Sequence, residues 1–344
     1  MAVIGIGSSH HFLKFFWIRS VTTVLFHNPL LLSILASPYT SAHSTLVMKK
    51  LFLLPFLFNL LLTAAQPTPV LAQSPGIAQE TNIEQALRKK HWQTEKVGRG
   101  MRWKYYHGNG LFASRQSINM LDINLRKAGI QVRFAYSDST RIKTSDFARE
   151  QGAVAAINGS YFDVKNGGSV NFFRTGGQIN ATSTPQLPAY RENAAIAVDV
   201  AGKVSIIRKP KAGWETTAIP ELLSSGPLLV FGGQVEAMVP QAFNTNRHPR
   251  TAIGITSDNH LLLVTVDGRS AEAQGMTNAE LAQLMLTLGC TEALNLDGGG
   301  STTLWIDGRG TNGIVNFPSD NKAYDHEGER AVANSVLILK KGRD

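Results

Sequence analysis

The sequence predicts an α+β fold: a single compact, β-rich mixed domain with a few helices, covering residues 95–344. Three features predict it. Short apolar runs, alternating or continuous, recur from Trp103 to Leu296 and close on Gly, Asn or Asp, as strands do. One stretch, Asn278 to Leu288, keeps the clearest helical spacing. No unit of about 20–50 residues repeats, which excludes solenoids and propellers.

The N-terminal region has a different character, because the first acidic residue is Glu80. Met48-Lys49-Lys50 precedes an apolar run, Leu51 to Leu62, and then Val70-Leu71-Ala72, with small residues at the key positions. This is the pattern of a secretory signal peptide, residues 48–72, cleaved after Ala72. Residues 1–47 then read as an upstream extension, with Met48 as the true start. A membrane anchor at Leu30–Leu35 is the alternative, but that patch is far shorter than the ~20 apolar residues a spanning helix needs. Residues 73–94 read as a flexible lead-in, with a short helix expected from Ile83 to His91.

Trp103-Lys104-Tyr105-Tyr106 begins the β-rich region. Ile118–Leu125 and Ile130–Tyr136 alternate as half-buried strands, joined through Lys127-Ala128-Gly129. Ser145 to Gly152 reads as a short helix with a Ser cap and a Gly stop, feeding a buried strand, Ala153–Ile157. A polar hairpin is expected within Gly167–Gln178. Two further hairpins pair Ala195–Val200 with Val204–Ile207 and Thr251–Thr256 with Leu261–Val266. In the main helix Thr277 and Glu280 form a capping box, Leu281, Leu284, Met285 and Leu288 share one face, and Gly289 is the stop. The strand Ala293–Leu296 follows.

Composition narrows the function. Removing residues 1–72 takes four Lys/Arg and no acid from 34 basic and 25 acidic residues, leaving +5. No Lys/Arg cluster with interleaved aromatics occurs, so nucleic acid is not an expected partner. The single cysteine, Cys290, excludes an internal disulfide, a Cys-rich zinc site and a lipid-anchored N-terminus, and it reads as a buried thiol. The histidines after the signal lack metal-ligand spacing, and no cofactor or metal is expected. Phosphate-loop, zinc-helix and nucleophile-elbow motifs are absent.

Four polar clusters sit at the ends of the expected buried strands: Asn158–Asp163, His248-Pro249-Arg250, Asp267–Ser270, and the run Asp297-Gly298-Gly299-Gly300-Ser301-Thr302. Each has a plain structural alternative, since Asn-Gly and Asp-Gly are turn dipeptides and an Arg ahead of a strand is often a solvated charge. A sheet could instead gather the four tips into one mouth. Consecutive glycines permit close backbone approach and can form an anion-binding nest beside the Asp297 carboxylate.

Six segments in this order resemble the phosphodiester glycosidase family: Ala156–Phe162, Gly226–Leu229, Arg250–Gly254, Asp267-Gly268-Arg269, Asn295–Thr302 and Arg330–Asn334. The resemblance covers Met120 to Leu339. It implies hydrolysis of a sugar-1-phosphodiester in a glycan or an envelope or extracellular polysaccharide, releasing sugar and a phosphomonoester. For that reaction the candidate catalytic carboxylates are Asp297 and Asp267. Arg250 and Arg269, with Arg330 as a third, would hold phosphate, helped by the Gly298, Gly299 and Gly300 amides. Asn158 and Asn334 would bond sugar hydroxyls or orient a carboxylate, and Tyr161 or Phe162 would pack on a sugar face. Ser301 and Thr302 would donate to phosphate or cap their loop. Two other readings stay open: a non-catalytic phosphoglycan-binding module, and a hydrolase using Asp163, Asp267 and Asp297 as ligands for a hard cation. The signal places the protein in the periplasm or outside the cell, without stable membrane insertion after cleavage.

Overall fold

The computed structural model describes residues 83–87 and 92–342; the upstream extension, the signal peptide and most of the lead-in lie outside them. Residues 83–87 are helical, and Ile83 is buried against Tyr106 and its neighbours.

The largest sheet has eight strands, in spatial order Gln93–Gly98, Met101–Leu111, Ser114–Asn124, His260–Val266, Arg250–Thr256, Cys290–Asn295, Leu228–Phe231 and Gln234–Val235. A four-stranded sheet holds Leu304–Ile306, Ala155–Asn158, Asn334–Lys340 and Ile130–Tyr136. A five-stranded sheet is built around Ala194–Val198 and Glu221–Ser225. Ile142–Lys143 pairs with Ala331–Val332 as a separate ribbon. Every pairing between the strands of the large sheet is antiparallel, and short turns join the neighbours that are consecutive in sequence, such as Arg250–Thr256 and His260–Val266.

Alternation along the large sheet supplies two cores. Leu121, Ile123, Leu261, Leu263, Ile253 and Leu294 face one way and meet Phe134, Ile157, Val336, Ile196 and Leu223 of the smaller sheets. Ile118, Met120, Leu262, Val264 and Val266 face the other way, against Leu281, Leu284 and Met285 of the helix Asn278–Thr287. Burial on both faces explains why Leu261–Val266 is a nearly unbroken apolar run. The helix carries its capping box: Glu280 N donates to Thr277 Oγ1 at 3.1 Å and Thr277 N donates to Glu280 Oε2 at 2.9 Å.

One detail differs from the sequence expectations. The helix Thr144–Glu150 has Lys143 at its N-cap with no side-chain cap bond. Ser145 instead donates from its amide (2.9 Å) and hydroxyl (2.6 Å) to the two oxygens of buried Glu329, a partner far along the chain. The polar hairpin expected within Gly167–Gln178 turns there, at Gly176-Gly177 between Phe173–Thr175 and Gln178–Ala181, its second strand running on to Ala181. Cys290 is buried, as the first residue of a strand. Among the described residues no helix is long and apolar enough to cross a membrane.

Candidate functional site

Strand register brings the four polar tips together. In the hairpin Arg250 lies opposite Val266, so Pro249 and His248 extend beside Asp267-Gly268-Arg269. On the other side Ala252 lies opposite Asn295, which carries the following residues back past Thr251 and Pro249. Leu296 N bonds Thr251 O and Gly299 N bonds Pro249 O, both at 2.9 Å. The strand Ala155–Asn158 belongs to another sheet, and Asp297 N reaches across to Gly159 O at 3.0 Å. The result is a cavity of about 330 Å³ to which Tyr161, His248, Arg250, Arg269 and Asp297 all contribute.

Asp297 is the cavity's one carboxylate among its lining residues. Its carboxyl is pushed up to about 6, chiefly by burial. Ser301, Arg330, the Gly298 amide and Arg191 oppose that shift, Ser301 without a hydrogen bond of good geometry. The carboxylate is therefore mostly ionised at neutral pH and titrates just below it.

Four guanidinium-bearing residues line the cavity with this single carboxylate. Arg250 is buried and donates from Nε to Met276 O (2.8 Å) and from Nη2 to Phe243 O (2.7 Å) and Asn246 O (2.9 Å). Carbonyls rather than carboxylates fix it, so its charge is not neutralised. Burial first, then Arg191 and Arg269, pull its pKa down to about 10, which leaves it protonated. Arg269 is exposed, has a left-handed backbone (φ 65°) and has no ion-pair partner among the described residues. Arg191 lies over Phe243 at 4.1 Å and Tyr161 at 5.2 Å, and its Nε is buried without a hydrogen-bond partner. Arg330 is paired with Asp320, its Nε donating to Oδ1 at 2.8 Å. Burial and the charges of Arg250 and Arg269 lower the pKa of His248, which favours its neutral form.

Gly299 and Gly300 admit two of these arginines, and Gly298 admits the Pro249 carbonyl. A Cβ on Gly298 would stand 2.5 Å from Pro249 O, one on Gly299 would stand 3.0 Å from Arg269 Nη2, and one on Gly300 would stand 2.5 Å from Arg330 Nη2. The expected anion nest is largely used internally. Gly298 N bonds its neighbour's carboxylate, Asp297 Oδ1, at 3.0 Å, and Gly299 N bonds Pro249 O.

Several residues singled out from the sequence lie behind the cavity wall. Asp267 is fully buried and does not line the cavity. It accepts from Ser117 Oγ (2.6 Å), Asn316 Nδ2 (3.0 Å) and Phe317 N (2.9 Å), while burial raises its pKa. Asn158 holds Asp297 O through Nδ2 at 2.7 Å and accepts from Thr251 and Thr303 on Oδ1. Asn334 accepts from Ser160 N at 2.7 Å, and Phe162 packs on Val332 and Ala333. Ser301 and Thr302 are buried, and their hydroxyls lack hydrogen-bond partners. Tyr161 does line the cavity, with its hydroxyl donated to Gly226 O and bonded by Asn295 Nδ2 at 2.8 Å, so only its ring is free for a ligand. Asp163, Asp267 and Asp297 each have separate partners. No three His, Cys, Asp or Glu side chains form a metal-holding group among the described residues. The structure also adds Arg191 and Phe243, which no sequence motif marked.

The phosphodiester glycosidase family profile matches residues 151–339, a segment that contains every residue of this cavity. The bovine (Bos taurus) N-acetylglucosamine-1-phosphodiester alpha-N-acetylglucosaminidase is 24% identical over 192 residues, covering 53% of this chain and 36% of its own. The SPbeta prophage-derived uncharacterized protein YomE of Bacillus subtilis (strain 168) is 46% identical over 92 residues, covering 27% of this chain and 13% of its own. The chain thus spans little more than a third, at most, of the lengths of these relatives. The zebrafish N-acetylglucosamine-1-phosphodiester alpha-N-acetylglucosaminidase catalytic domain has the same fold, with a TM-score of 0.54 at 17% identity over 73% of this chain and 84% of that one. A hypothetical protein from Synechocystis superposes with a TM-score of 0.52 at 17% identity, over 70% of this chain and 62% of that one. With more than half its length under the family profile, and its cavity built from that segment, the chain belongs to the phosphodiester glycosidase family.

Proposed function

We propose that this chain is an exported hydrolase that cleaves the C1–O bond of a sugar-1-phosphodiester in a phosphorylated glycan. The observation that carries the reading is the pairing of one perturbed carboxylate, Asp297, with four arginines in a single cavity. As C1–O breaks, the electron pair leaves with the phosphate oxygen and positive charge develops on the sugar ring. Asp297 supplies the opposing charge beside C1, either by attacking C1 or by taking a proton from the attacking water. The guanidinium groups receive the departing phosphate. A phosphomonoester leaves without being protonated, so one carboxylate in the cavity is enough, and Asp267 is assigned a positioning role. Its bonds to Asn316 and Phe317 tie the Arg269 turn to the segment that carries Asp320, the partner of Arg330. Tyr161 offers a ring face to the sugar, while Asn158 braces the Asp297 loop and Asn334 holds the Gly159-Ser160 turn beside it.

Isotope placement tests the reaction class. In ¹⁸O-water, hydrolysis of a sugar-1-phosphodiester is expected to put the label in the released sugar. Label in the phosphomonoester would mean P–O cleavage and would overturn the glycosidase reading.

A further inference from the structure

We propose that the cavity is matched to a phosphate dianion rather than to the monoanionic diester, so the phosphomonoester product and its analogues bind more tightly than diesters. The proposal rests on the phosphodiester reading and deepens it. Its basis is the charge inventory of the wall. Arg191, Arg250 and Arg269 have no carboxylate partner, whereas the charge of Arg330 is matched by Asp320. Against three unmatched cations stands one carboxylate, Asp297. With Asp297 ionised, the wall carries two positive charges in excess.

A phosphodiester brings a single negative charge and leaves one of these unmatched. A phosphomonoester above its second pKa of about 6 brings close to two and neutralises the wall. That second charge appears during the reaction, when the C1–O electron pair passes to the phosphate oxygen. The site is thus more complementary to the separating leaving group than to the bound substrate, which is where binding lowers a barrier. Retention of the product is the necessary consequence. A second observation points the same way. The Arg191 Nε–H is buried with no hydrogen-bond partner, although its guanidinium is held over two rings, so a donor stands unused at this wall.

The test uses methyl phosphate (a dianion), methyl sulfate (its monoanionic isostere) and dimethyl phosphate (a monoanionic diester), titrated calorimetrically at pH 8 and low salt. Methyl phosphate is expected to bind at least about tenfold more tightly than either monoanion. Arg269→Gln removes an exposed, unpaired cation and is expected to shrink that preference to within about threefold. Equal affinity for methyl phosphate and methyl sulfate, or no binding of methyl phosphate at millimolar concentration, would overturn the proposal. Turnover of a sugar-1-phosphodiester is scored separately. Turnover without a dianion preference sinks this inference alone, and a dianion preference without turnover sinks the glycosidase reading alone.

Discussion

Asp297 is held in a state that costs stability. Its pKa of about 6 lies above the ordinary 3.8, so folding favours the protonated acid. That favourable contribution is complete below pH 4 and is lost as pH rises through 6. Asp297→Asn removes the charge without changing shape, so at pH 8 it is expected to be more stable than the parent by about 1–2 kcal/mol. Thermal melts should show a gain of about 2–6 °C at pH 8 that disappears below pH 4. An unchanged or lower Tm at pH 8 would mean that the carboxylate is better solvated or better paired than its surroundings imply. At this scale the sequence was readable where chemistry and strand ends coincide, as at Arg250, Arg269 and Asp297. Arg191 carries no such mark, because its place depends on rings at Tyr161 and Phe243 that are far away along the chain. Asn158, Asn334 and Asp267 look like ligand-binding groups in sequence. Buried backbone groups at a loop junction also need polar partners, and these three side chains supply them.

At the scale of elements, the glycine run fixes how closely the Asp297 loop approaches its neighbours. Gly298 has an unstrained φ of −118°, so what makes it glycine is contact with the Pro249 carbonyl. Gly298→Ala is expected to cost about 1–3 kcal/mol and to push Asp297 away from Arg250. Urea titration would show the loss of stability, and kcat/KM should fall more than about tenfold because reacting groups tolerate little displacement. Wild-type stability and activity in this variant would show that the loop yields freely. The hairpin Arg250–Thr256/His260–Val266 and the capped helix were visible in sequence because local patterns determine them. Ser145 deceived the local rule because Glu329, nearly two hundred residues away, offered its amide and hydroxyl a buried carboxylate. The strand Glu221–Ser225 carries an acid and two serines yet is wholly buried, with Glu221 bonded by Arg133, Thr175 and Gly176, so it shows no apolar period to read.

Across the whole molecule, the site exists because three neighbouring strands of one sheet deliver three polar tips to the same edge, and a strand of a second sheet closes on them through Gly159 and Asn158. The polar strand ends were legible one by one; strand order, which decides whether they meet, is a property of the assembled sheets. The central claim is that this shared cavity is a catalytic centre organised around Asp297. It is tested most directly by the pH dependence of kcat/KM for a sugar-1-phosphodiester in the parent and in Asp297→Asn. The account predicts a parent rate that rises with pH through a midpoint near 6, and a variant at least about 10³-fold slower in which that limb is gone. A variant that turns over at the parental rate, with the same acid limb, would contradict it.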